Sequence, residues 1–200
     1  MMWVAVDRAA RIFARIGEQK QADAWRAKAD EFQAEILDKG QIDLVFRQHY
    51  DTDALDASVL LMPLVRFLPP DDERIVATVL AINDELNDGG LILRYEVTET
   101  DDGLHGREGT FLICSFWMVA ALSEIGERGK ARALCERLLA VAGSLDLYAE
   151  ELDTETNQHL GNFPQAFTHL ALINAVSHVI ADENRDEAEG PTAVFSEMRN

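Results

Sequence analysis

The run Glu108-Gly109-Thr110-Phe111-Leu112-Ile113-Cys114-Ser115-Phe116-Trp117-Met118-Val119-Ala120-Ala121-Leu122-Ser123-Glu124-Ile125 decides the fold. It reads as a helix that is apolar on nearly all sides, through Phe111, Leu112, Ile113, Phe116, Trp117, Val119 and Leu122. A helix without a polar face must be surrounded by other elements. Its companions are amphipathic. Glu18 to Lys39 carries one stripe through Trp25, Ala29, Phe32 and Ile36, and Lys130 to Ala142 carries one through Ala131, Leu134, Cys135 and Leu138. One inner helix flanked by outer ones predicts a toroid of inner and outer helices.

The rest of the chain fits that rhythm. Met1 to Ile16 is an amphipathic helix with Ala5, Ala9, Ile12, Phe13 and Ile16 at helical spacing, and Gly17 ends it. Gly40 stops the second helix. Gln41 to Tyr50 alternates through Ile42, Leu44 and Phe46, which predicts a short extended piece. Asp51 to Phe67 resumes a helical pattern that Pro63 should kink. Pro69-Pro70-Asp71-Asp72 starts a helix striped by Ile75, Val79, Ile82 and Leu86. Leu91 to Val97 reads as extended, and Thr98 to Arg107 as a polar loop. A helix follows from Pro164 to about Ile180. Two units are expected: residues 1–180 as the helical domain, and residues 181–200 as a charged, aperiodic, flexible tail. No self-similar period is visible, which disfavours a helical-repeat array.

The net charge is −18 over 200 residues, with 18 Lys and Arg against 36 Asp and Glu. Nucleic acid and anionic membrane surfaces are poor partners for such a chain, since both are held through Lys and Arg. Cys114 and Cys135 fall in apolar helical patterns and read as small buried hydrophobes, not as a disulfide or a zinc site. Arg8 and Arg11 interrupt the first apolar run, so it does not read as a signal peptide, and no segment is apolar for long enough to span a membrane. A cytoplasmic protein without metal or cofactor is expected.

Three long connections, 40–51, 87–107 and 143–163, carry the residues with chemical potential. Asp53 and Asp56 follow the first. Arg94, Tyr95, His105 and Arg107-Glu108 accompany the second. Glu150, Glu151, Asp153, His159 and Gln165 accompany the third. In stacked helical hairpins such connections gather at one end. A rim of carboxylates, Arg and aromatic rings suits sugar binding, and two carboxylates flanking a glycosidic oxygen supply acid and base. Each residue also has a purely structural reading. Glu150-Glu151 is a solvated acidic loop, Asp56 a helix N-cap, Arg94 a surface ion-pair partner, and Glu108 a helix-dipole acid. Trp117 and its aromatic neighbours read as core, and His169 and His178 as residues of a helix face.

Several blocks in order resemble bacterial members of glycoside hydrolase family 15, the glucoamylase-like, glucodextranase-like and trehalase-like proteins. They are Trp3-Val-Ala-Val-Asp-Arg-Ala9, Leu55-Asp-Ala-Ser58, Leu60-Leu-Met-Pro-Leu64, Phe67-Leu-Pro-Pro70 and Arg94-Tyr95. Glu108-Gly-Thr-Phe-Leu-Ile-Cys-Ser-Phe-Trp117, Tyr148-Ala-Glu-Glu-Leu-Asp153 and Gly161-Asn-Phe-Pro-Gln-Ala-Phe-Thr-His-Leu170 complete the set. The resemblance covers residues 2 to about 180. It implies an all-α (α/α)6 barrel, here its C-terminal half, and an inverting, exo-acting hydrolysis of α-glucosidic bonds in a glucan, an oligosaccharide or trehalose. It implies Glu150 as the general base, Arg94 as a substrate-binding residue with Tyr95 beside it, and Glu108 and Trp117 near the site.

The family's general acid is a Glu in a Trp-Glu segment before the W-x-A-x-D-R-A helix. The chain starts at that helix, so the acid is expected from another segment or another chain. The alternatives are a non-catalytic remnant that binds sugar or self-associates, a self-contained enzyme pairing Glu108 with Glu150, and a helical interaction module.

Overall fold

The computed structural model describes residues 1–96 and 109–197, with side chains through residue 188. Among these residues lie seven α-helices and three small antiparallel sheets. Helix α1 (Met2–Arg15) and helix α2 (Gln19–Lys39) form a hairpin across a three-residue turn. The stretch that alternation reads as one extended piece is instead a tight hairpin of β1 (Gln41–Ile42) and β2 (Val45–Phe46), because Asp43 and Leu44, both at positive φ, turn the chain between them. A 3-10 turn (Ala57–Leu60) leads into α3 (Leu61–Leu64), so only a fraction of the helical pattern between Asp51 and Phe67 is helix. Pro63 lies inside α3, which ends at the next residue.

Helix α4 (Glu73–Glu85) begins where the Pro-Pro-Asp-Asp signal places it. Asp72 is the N-cap, its side chain accepting from the Arg74 amide. Strands β3 (Asn87–Asp88) and β4 (Leu91–Ile92) form a hairpin, and β5 (Thr110–Phe111) precedes α5 (Leu112–Glu124). Helix α6 (Arg128–Ala140), strands β6 (Glu151–Asp153) and β7 (Gln158–Leu160), and helix α7 (Ala166–Glu197) complete the chain.

Helix α5 is the inner helix that its sequence demands. Ten of its thirteen residues are buried. It packs against α7, α6, α4, α3 and the 3-10 turn, so every face has a neighbour. Full burial of side chains such as Leu112, Phe116 and Met118 stabilises by roughly 1.5–3 kcal/mol each. At the other end of the core, Trp3 meets Phe67 edge-on at 5.0 Å and Phe67 meets Phe46 at 6.0 Å, which joins α1 to the first hairpin.

One expectation needs correction. The buried face of α1 is Trp3, Asp7 and Ala10, while Ile12 and Ile16 are 60% and 64% exposed. The apolar spacing is present, but only part of the stripe has anything against it. Asp7 occupies a core-facing position because Arg26, Arg11 and Arg8 surround it, with Nη1 of Arg26 and Nε of Arg11 each at 2.8 Å. The charged stretch after residue 181 is continuous with α7 through Glu197. Several of its described charges are paired. Buried Asp182 accepts from Ser123 Oγ at 2.6 Å and lies 3.1 Å from Arg185, while Arg128 bonds Asp186.

Candidate functional site

The three long connections do meet. Gln48 of the first connection donates to Asp56 at 3.3 Å, and the amide of the next residue, Ala57, donates to the Arg94 carbonyl at 2.8 Å, which links the first connection to the second through the start of the 3-10 turn. Thr154 Oγ1 donates to Asp88 at 3.0 Å, and β5 pairs with β6, which joins the second to the third. Glu150-Glu151 is therefore no free acidic loop. Glu151 opens the middle strand of a three-stranded sheet, opposite Phe111 on one side and Leu160 on the other.

The two adjacent carboxylates have different surroundings. Glu151 Oε2 accepts the Gly109 amide at 2.9 Å and so helps fasten the entry to β5. Glu150 is half-buried and its Oε2 accepts from Asn162, from Nδ2 at 3.0 Å and from the backbone amide at 3.3 Å. Gly161 permits this approach. Its φ of +71° favours glycine, and a Cβ there would stand 2.9 Å from Glu150 Oε2.

The main chain below Glu150 is fully engaged. The Tyr148 carbonyl accepts the Gln165 amide at 2.9 Å, the Ala149 carbonyl accepts Thr168 Oγ1 at 3.0 Å, and the Glu150 amide donates to the Asn162 carbonyl at 3.0 Å. The Glu150 carbonyl accepts the amide of Leu112, the first residue of α5, at 3.0 Å. An otherwise unpaired helix-start amide and the carbonyl of Glu150 thus satisfy each other. Tyr148 is buried with its hydroxyl donating to the Leu138 carbonyl at 3.0 Å, and burial pushes its phenol up to about 12.

Arg94 is half-buried and lies against two rings. Its guanidinium carbon lies 4.3 Å from the Tyr95 ring centre and 4.8 Å from that of Phe111, and it also bonds the Tyr95 hydroxyl. Cation–π contact with two rings limits its rotamers. Tyr95 is 6% exposed, so it underlies Arg94 more than it faces solvent. Phe111 is the link to Glu150, because it stacks on Arg94 and immediately precedes Leu112. Burial pushes the Cys114 thiol up to about 12; the negative charge of Asp56 adds to this and Arg94 opposes it.

The other candidates divide. Asp56 is the N-cap of the 3-10 turn, accepting the Ser58 amide at 2.7 Å, and also accepts Gln48 Nε2 at 3.3 Å. Trp117 lies on α5, partly buried against the core. Glu108, with His105 and Arg107, lies outside the described residues. His169 does lie on a helix, but it does more than occupy a face: it and His159 hold the backbone before Glu150, which no residue spacing announces. A cavity of about 280 Å³ opens between the first turn of α1 and the connection at 46–50, lined by Trp3, Phe46, Gln48, Tyr50 and Met62, and does not include Glu150. Among the described residues no group of three or more His, Cys, Asp or Glu is placed to hold a metal ion. No described helix is long and apolar enough to cross a membrane.

Comparison with known proteins accords with this geometry. A trehalase of Mycobacterium tuberculosis is 61% identical over 192 residues, which is 95% of this chain and 28% of that protein. A trehalase of Thermoplasma acidophilum is 39% identical over 176 residues, 86% of this chain and 30% of that protein. The chain thus spans less than a third of the length of these relatives. A solved glycosidase superposes with a TM-score of 0.67 at 16% identity, over 79% of this chain and 44% of its own. That likeness concerns the fold, an all-α (α/α)6 toroid of which these residues form part. Residues 1–177 match the sequence profile of glycosyl hydrolases family 15, and the chain belongs to that family.

Proposed function

We propose that the chain carries the general-base side of an inverting, exo-acting α-glucosidase site of the trehalase type. Glu150 is the base. It takes a proton from a water whose oxygen bonds to the anomeric carbon as the glycosidic C–O bond breaks. A second carboxyl group donates the proton to the departing oxygen. In inverting enzymes the two groups stand roughly 6.5–9.5 Å apart to leave room for that water. Arg94 binds the glucosyl residue, with Tyr95 and Phe111 fixing its direction, and Glu108 and Trp117 contribute to the same end of the barrel.

The observation that supports this reading most is the chain of contacts from Arg94 through Phe111 and Leu112 to Glu150. It ties a ring-packed Arg and a carboxylate to the start of one buried helix. The identity with trehalases over 95% of the chain favours trehalose over glucans as the substrate. The acid is supplied by a segment other than these 200 residues.

The uncovered apolar stripes support that last point. On α7, Phe167, Leu170 and Ile173 are 66%, 58% and 61% exposed at successive helical spacings. This stripe and the Ile12–Ile16 edge of α1 fit the complementary part of an (α/α)6 barrel, which would bring the acid with it.

The test is glucose release from trehalose, maltose and isomaltose by this chain, alone and mixed with a polypeptide carrying the Trp-Glu segment of a family relative. Turnover only in the mixture, preferring trehalose and lost in Glu150→Gln, is expected. Turnover by a verified monomer of this chain alone, unchanged in Glu150→Gln, would overturn both the base and the split-site reading.

A further inference from the structure

Every main-chain polar group of Tyr148, Ala149 and Glu150 has a partner distant in sequence, and two of the six partners are imidazoles. The Tyr148 amide donates to His169 Nε2 at 3.4 Å, and the Ala149 amide donates to His159 Nδ1 at 3.3 Å. The opposite nitrogen of each ring meets a carbonyl. His169 Nδ1 lies 2.7 Å from the Gln165 oxygen, and His159 Nε2 lies 3.0 Å from the Val141 oxygen.

A nitrogen that receives an N–H must present a lone pair, and one that faces a carbonyl must carry the proton. His159 is therefore the Nε2–H tautomer and His169 the Nδ1–H tautomer. Each ring acts as a bridge that accepts a hydrogen bond from one backbone amide and donates one to a backbone carbonyl.

The rings also pack on the same side chain. His159 stacks on Tyr148 at 6.4 Å between centres, and His169 meets it edge-on at 5.7 Å. Tyr148 and Ala149 are both buried. Without the imidazoles their amides would be buried donors with no acceptor, a cost of about 1–3 kcal/mol each.

We infer that His159 and His169 are positioning residues. In opposite tautomers they lock the two peptide units before Glu150, and so fix the direction in which its carboxylate meets Asn162. This rests on the reading of Glu150 as the base only for its consequence in catalysis. The geometry itself does not depend on that reading.

The experiment is a two-bond proton–nitrogen correlation spectrum of the full chain labelled with 15N-histidine, at about pH 8 where an ordinary imidazole is neutral. His159 protonated on Nε2 and His169 protonated on Nδ1 is the expected result. The same tautomer at both positions, or a charged ring at either, overturns the inference.

Variants give the second arm. His159→Phe and His169→Phe should each speed hydrogen exchange of the partner amide by at least about tenfold. They should also shift the Asn162 side-chain amide signal, which reports the Glu150 carboxylate. His159→Asn and His169→Gln return an oxygen near the accepting position and should restore both. Phe variants that retain both readouts refute the inference. If they do not fold, the tautomers of the unaltered chain decide. None of these readouts uses turnover. A Glu150→Gln variant with full activity would therefore sink the base assignment and leave the positioning role standing.

Discussion

Asn162 donates twice to one oxygen of Glu150, from its side chain at 3.0 Å and from its backbone at 3.3 Å, while its own carbonyl accepts the Glu150 amide. One residue thus grips both ends of the other. Asn162→Ala removes only the side-chain bond. The residue is exposed, so the expected loss of stability is at most about 1 kcal/mol. If Glu150 is the base and trehalose the substrate, as proposed, turnover in the mixture with the complementary segment should fall about tenfold or more, in kcat rather than in KM, because a loosened carboxylate is a poorer base. Thermal melts and steady-state kinetics on the same preparation check both halves.

Gly161→Ala meets two obstacles at once. The backbone sits at φ +71°, and the added methyl falls 2.9 Å from Glu150 Oε2. The left-handed conformation alone costs about 1–2 kcal/mol for a residue with a Cβ. A drop of that size in urea unfolding is expected, together with a displaced Asn162 side-chain amide resonance. An unchanged resonance would show that the carboxylate does not lie where the Gly161 backbone requires it.

Asp7 should make part of the stability sensitive to acid. Burial would raise its carboxyl, but hydrogen bonds from Arg26, Arg11 and Arg8 outweigh it and hold it below the usual carboxylate range. Its folded value is lower than its unfolded value of 3.8, so the unfolded chain binds the proton more readily. The stability it contributes is complete above that value and is lost as pH falls through the lower, folded one. Asp7→Asn should cost about 2–3 kcal/mol at neutral pH, discounted from a fully buried pair because the arginines reach solvent. The gap between variant and parent in urea titrations should narrow on acidification below about pH 4.

Tyr148 gives the opposite dependence. Its phenol moves from 10.0 to about 12 because it is buried, so the folded chain keeps a proton that the unfolded chain releases. Stability should fall as pH rises from 10 towards 12, by up to about 1.4 kcal/mol per unit from this group. Tyr148→Phe should remove that contribution to the slope while costing about 1 kcal/mol through the lost bond to Leu138. Denaturant titrations at several alkaline pH values separate this from the contribution of Cys114, which both proteins share.

The α7 stripe predicts a separation of folding from assembly. Leu170 is exposed, so Leu170→Glu should change the stability of this chain by no more than about 0.5 kcal/mol. In the mixture with the complementary barrel segment it should abolish association. Co-elution of the two polypeptides with this variant would place the contact elsewhere.

Much of the fold was legible because it rests on local rules. Asp72 caps α4 as its position after Pro69-Pro70 requires, and the all-round apolarity of α5 does reflect a central place. Ile12 and Ile16 illustrate the limit. Periodicity identifies an apolar stripe, but only the neighbours determine whether it is covered. The site was less legible for the same reason. Glu150 and Glu151 are indistinguishable by type and spacing. They part only when the Gly109 amide, 42 residues away, bonds the second of them. His159 and His169 likewise acquire their partners from chain reversal, and Asp182 its burial from Ser123 on another helix.

The bond between the Leu112 amide and the Glu150 carbonyl joins main chain to main chain, so it carries no requirement on either side chain. Substitutions along α5 that keep its bulk can therefore accumulate without steering the carboxylate. An insertion cannot be absorbed in that way. One extra residue between Phe111 and Leu112 would turn the helix by about 100° relative to β5. Either the pairing of Phe111 with Glu151 or the packing of α5 would then have to give way. Length at this junction, more than composition, is what the chain has to keep unchanged.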